Sequence, residues 1–172
     1  MRLRSGTRKA VLSIHLVVSV GWIGAVTAYL ALDVTTITSD DPDMLTAAYT
    51  GMNVIAGSVI VPLAIASLIT GVVISAGTRW GLFRHYWVVI SLLLTVLAVA
   101  VLLVETRTIG SLAEIATDPS TTPEELAALN STLVHSIGGL LVLLAVLVLN
   151  VYKPRGMTRY GWREESQPSP TR

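Results

Sequence analysis

Residues 86–104 read YWVVISLLLTVLAVAVLLV, nineteen positions without a charge, a proline or a glycine. At a helical rise of about 1.5 Å per residue the run extends ~28 Å, close to the thickness of a bilayer's hydrocarbon layer. A helix that is apolar around its whole circumference belongs in a large core or in lipid. Three more runs of this kind follow the same logic, at 9–32, 52–76 and 131–152. The expected fold is therefore all-α, a four-transmembrane-helix antiparallel bundle forming a single polytopic membrane domain, with a tail at 153–172.

Composition agrees and narrows the chemistry. Of the 172 residues 52% are hydrophobic and 13% charged, where a soluble domain carries about 25% charged. The chain holds no cysteine, which excludes disulfides, thiolate metal sites, iron–sulfur ligation and a cysteine nucleophile. The basic start of the chain (Arg2, Arg4, Arg8, Lys9) suits a signal peptide, but the apolar run behind it exceeds the usual 7–15 residues. The first span is expected to be retained.

Charge distribution sets the orientation. Four spans put both termini on one side, and eleven of the twelve basic residues fall there, leaving Arg107 opposite. By the positive-inside rule the N- and C-termini are cytoplasmic. Asp41-Pro42-Asp43 reads as a capped helix start, and Thr122-Pro123-Glu124-Glu125 as a capping box. The fourth helix is thus expected to begin near Pro123, and the third to continue to about Ala116, weakened at Gly110. Together they make an extracytoplasmic helical hairpin extension. Lys153-Pro154 ends the last helix, and Glu164 to Arg172 reads as disordered.

On the cytoplasmic side basic and aromatic residues mix. Arg79, Trp80, Arg84, His85 and Trp87 precede the third span; Lys153, Arg155 and Arg159 follow the fourth. Such residues settle at the headgroup level, so the lipid bilayer and its anionic lipid headgroups are the expected partners, beside other membrane subunits or a homo-oligomer. Nucleic-acid binding is not expected of short juxtamembrane segments.

Polar groups inside spans are costly and are functional candidates by default. His15, Ser19, Trp22, Val26 and Tyr29 form one helical stripe on the first span. In the second, Asn53 lies near the outer end, Pro62 suggests a kink, and Ser67, Gly71 and Ser75 form a close-packing seam. His135, Asn53, Glu105 and Asp33 all fall near the outer boundary and can converge on a pocket for a metal, a proton or a small ligand. A hydrogen-bonded network fixing helix register is the alternative. Two intramembrane histidines also suggest haem b ligation. Counted by helical rise, however, His15 and His135 differ in depth by ~18 Å, too far apart to share one iron; His85 is the nearer mate for His15.

His15-x6-Trp22-x-Gly24, Gly81-Leu82-Phe83-Arg84-His85-Tyr86-Trp87 and Lys153-Pro154-Arg155-Gly156-Met157-Thr158-Arg159-Tyr160-Gly161 together resemble a family. It is that of the small four-span membrane proteins, a domain of unknown function, of high-GC Gram-positive bacteria. The resemblance implies a plasma-membrane location and no particular activity. His15, Trp22 and Gly24 are also similar to the first span of copper-resistance D-type membrane domains, which implies copper. No Ser/His/Asp set, phosphate loop or H-E-x-x-H occurs. The expectation is a non-enzymatic integral membrane module, an accessory or assembly subunit or a small-ligand binder; the alternative is a haem- or copper-handling protein using His15.

Overall fold

The computed structural model describes residues 4–78 and 80–165. The long elements among them are all helical: α1 (Ser5–Thr38), α2 (Pro42–Ile55), a π-helical turn (Ala56–Ile60), α3 (Val61–Gly77), α4 (Tyr86–Thr117) and α6 (Leu133–Tyr152). Two short helices, α5 (Pro123–Ala127) and α7 (Arg159–Glu165), flank α6. α2, the π turn and α3 run on as one rod, so four helices are long and apolar enough to cross a membrane.

These helices turn much of their apolar surface outward. In the most apolar stretch of each, only 11% to 22% of residues are buried; Val17, Leu93 and Val134 are 72%, 63% and 81% exposed. Exposed apolar area costs about 25 cal/mol per Å² in water, so a surface of this extent fits hydrocarbon. The interior core gathers around Trp22 and Tyr29 of α1, Tyr49 and Met52 of α2, Ile109 and Leu112 of α4, and Leu143 of α6.

Both expected helix starts form as their chemistry requires. The Asp43 amide donates to the Asp41 side chain at 3.0 Å. At α5, Thr122 and Glu125 close a reciprocal capping box with Pro123 in the first turn. Between α4 and α5, the Ser120 hydroxyl and amide donate to Asp118 and hold its carboxyl below the usual carboxylate range.

α4 runs past its apolar stretch to Thr117, as the third helix was expected to. Two expectations need correction. The fourth helix does not run on from Pro123: α5 ends at Ala127 and α6 starts at Leu133. The reason is Asp33, whose carboxylate takes the Ser131 hydroxyl and the Thr132 amide and hydroxyl, holding that stretch out of a helix. The short helix α7 was not anticipated either, and it includes Glu164 and Glu165; Arg79 and 166–172 lie outside the described residues.

Pro62 produces a widened turn. With no amide hydrogen it cannot bond the Ser58 carbonyl. The chain answers with a π turn in which the Val61 amide reaches five residues back to the Ala56 carbonyl. Ala56 and Ile60, at its two ends, both face the interior.

Candidate functional site

The α1 stripe is divided between two environments. Toward the start of the helix, the Ser19 and Ser67 hydroxyls bond at 2.8 Å. His15 Nδ1 lies 2.9 Å from Thr70 Oγ1. Thr70 spends its hydroxyl hydrogen on the Ala66 carbonyl, so His15 must donate from Nδ1. A Cβ on Gly71 would stand 3.2 Å from the imidazole. His15 and Ser19 are thus polar rivets in the seam of α1 and α3, where the small residues Ser67 and Gly71 allow close approach.

Farther along α1, Trp22, Val26 and Tyr29 line a cavity of about 220 Å³. The remaining wall comes from Ala56 and Ile60 of the π turn, from Leu97 to Ile109 on α4, and from Thr132 to Leu143 on α6. It is overwhelmingly apolar. Its polar end holds Glu105 and His135, with His135 Nε2 3.6 Å from Glu105 Oε1, wider than a hydrogen bond. Glu105 Oε2 is buried and has no hydrogen-bond partner among the described residues. An unfilled acceptor of this kind costs about 1–3 kcal/mol.

Gly138 and Gly139 line the same cavity. A Cβ built on either meets nothing within 4 Å, so no close helix contact demands a glycine there. Their effect is to leave space. Leu97, Val101, His135 and Gly138 are exposed cavity residues on α4 and α6, so the cavity opens along the α4–α6 seam.

Behind its polar end lies a sealed network. Asp33 is fully buried and accepts from Ser131 Oγ (3.1 Å) and Thr132 N (3.2 Å) on one oxygen, and from Thr132 Oγ1 (3.0 Å) and Ser136 Oγ (2.7 Å) on the other. Thr132 has given its hydroxyl hydrogen to Asp33, so Tyr29 donates to Thr132 at 2.9 Å. The carboxylate also sits at the positive end of the α6 dipole. A buried charge met by four donors is an anchor for α6 against α1, and Thr132 and Ser136 carry that rigidity to the cavity wall.

The outer polar group anticipated from sequence is therefore only partly assembled. His135 and Glu105 meet in the cavity, and Asp33 stands behind it. Asn53 does not line it; its side chain lies beside Gly110, where an added Cβ would be 3.8 Å from Oδ1. Trp22 and Tyr29 join from the stripe. The sequence reading undervalued Asp33, which it placed at a boundary; the S-T-x-x-x-S pattern at Ser131, Thr132 and Ser136 was the signal that a carboxylate would be met there. Among the described residues no group of three or more His, Asp or Glu comes together as a metal site, and His15 and His135 have wholly different neighbours.

At the opposite end of the helices, the expected interfacial residues form a clasp. The backbone pairs at His85 and Met157. The Tyr86 amide donates to the Gly156 carbonyl at 3.3 Å, and the Thr158 amide to the Arg84 carbonyl at 2.9 Å. Thr158 Oγ1 donates to the Phe83 carbonyl at 2.5 Å. Trp80 meets both His85 and Trp87 edge-on, at 5.1 and 5.6 Å, and Lys153 Nζ lies 5.9 Å from the Trp80 ring. Arg155 and Arg159 are exposed beside it. No protein-family model, curated protein or solved structure matches the chain.

Proposed function

We propose that this protein is a non-enzymatic membrane module that binds a small amphiphile in the cavity between α1, α4 and α6. The observation carrying this reading is Glu105: a carboxylate oxygen without a partner, at one end of a cavity whose other walls are apolar. A hydrogen-bond-donating, cationic head would fill that acceptor, and His135 borders the same position. Size narrows the body. An engineered apolar cavity of about 150 Å³ accepts benzene, so 220 Å³ suits a substituted ring or a short alkyl chain. The opening along the α4–α6 seam faces lipid and gives the ligand a route from the bilayer.

The reading includes an antiparallel four-helix bundle in the plasma membrane, with both termini cytoplasmic. Pairing of early with late residues supports the antiparallel sense: His15 with Thr70, Asp33 with Thr132, and Thr46 with Ala116. The basic bias supports the orientation. The last turns of α4, α5 and the start of α2 then form the outer extension, α5 standing as a separate element. The resemblance to small four-span membrane proteins accords with this reading.

The test uses 4-bromobenzylamine as probe, with the protein in nanodiscs. Its bromine should quench Trp22 fluorescence, read as the difference between the natural protein and Trp22→Phe. Glu105→Gln should weaken the effect about tenfold, the loss of one charge-assisted contact. Equal quenching by 4-bromotoluene, or no effect of Glu105→Gln, would remove the proposal.

A further inference from the structure

The clasp borders a second, half-open pocket of about 260 Å³, walled by Trp80, His85, Trp87, Lys153, Pro154, Arg155, Gly156 and Met157. Its charged wall residues are both cationic, Lys153 and Arg155, and neither meets a carboxylate among the described residues. Trp87 is 7% exposed, yet its indole N–H has no hydrogen-bond partner among the described residues. His85 spends Nδ1–H on the Trp80 carbonyl at 2.8 Å, which fixes the ring orientation in the wall.

The backbone is also committed to this geometry. Lys153 has φ 46°, the one non-glycine in the left-handed region among the described residues. That is the position following a helix where glycine is the usual occupant, so the chain accepts strain to carry an amine there. A Cβ on Gly161 would come within 2.5 Å of the Arg84 carbonyl oxygen, which shows how tightly the tail is seated on the loop forming the other wall.

We infer that this clasp is a binding site for a phosphate-type anion, held by Lys153 and Arg155 against the indole wall of Trp80 and Trp87. Two cations and an unsatisfied N–H donor lining one pocket suit the oxygens of a phosphoryl group. The pocket lies at the end of the membrane-crossing helices, where a phospholipid headgroup and a free phosphate both have access. The chemistry is shared; the experiment separates the sources.

The test compares the protein in phosphate-free maltoside micelles alone, in the same micelles with phosphatidylglycerol added, and in the same micelles with inorganic phosphate added. Thermal unfolding is the readout. The variant is Lys153→Gly with Arg155→Gln, since glycine adopts the left-handed conformation freely and keeps the helix end intact. For the natural chain, Tm should rise with phosphatidylglycerol or with phosphate, and whichever does so identifies the source. For the variant, Tm in the phosphate-free micelles should be unchanged or higher, and apparent anion affinity should fall at least tenfold. Equal shifts in variant and natural chain, or no shift with either anion, would overturn the assignment.

Discussion

Asp33 shows how one residue can govern the placement of a helix. Its carboxylate gathers four donors from the first turns of α6 and its approach; Asp33, Thr132 and Ser136 are buried, and Ser131 lies at the exposed rim. Removing the carboxylate leaves the Thr132 and Ser136 donors unsatisfied in the interior, at about 1–3 kcal/mol each before relaxation. Asp33→Ala should therefore destabilise the protein by about 3–5 kcal/mol in a denaturant titration of the reconstituted protein. Asp33→Asn should recover only part of the loss, because its amide presents a donor to donors. A wild-type midpoint for Asp33→Ala would show that the network contributes nothing to stability. Glu105 is the opposite case: its buried Oε2 has no donor among the described residues, and the donor of the proposed ligand would supply one.

Among the elements, the clasp and the widened turn depend on backbone detail. Gly161 presses on a carbonyl that cannot swing aside as a side chain would. Gly161→Ala should cost about 1–3 kcal/mol of overpacking, relieved by α7 lifting from the 80–86 loop. Trypsin should then cut after Arg155 or Arg159 about tenfold faster, while unfolding of α1 to α6 is unchanged. Unaltered cleavage would mean the tail is held by other contacts. The π turn before Pro62 turns Ala56 and Ile60 into the cavity, so a proline recognised as a kink site also shapes the cavity wall. The helix caps at Asp41 and Thr122 were legible because their donors and acceptors lie within three residues of each other. The break between α5 and α6 was not, because its cause is ninety-eight residues away in the chain.

For the whole molecule, the proposed orientation makes a direct prediction. The chain has no cysteine, so single cysteines report without background. In intact cells, Ser120→Cys should react with a membrane-impermeant maleimide, and Arg163→Cys should react only after lysis; both positions are exposed. The reverse pattern would invert the topology. The two pockets would then exchange compartments, although their chemistry would stand.

What sequence alone determined was the all-helical class and the number of long apolar helices. Burying runs of nineteen or more apolar residues is a property of composition and length, and the helix caps are local hydrogen-bond arithmetic. It also marked out His15, Ser19, Trp22 and Tyr29 as one helical face. Tertiary structure decided which part of that face is a seam and which a cavity wall, that Glu105 and His135 meet while Asn53 does not, and that the loop and tail border a cationic pocket. Those outcomes depend on the register of one helix against another, which side chains distant in the chain settle through packing and buried hydrogen bonds, and which no local pattern encodes.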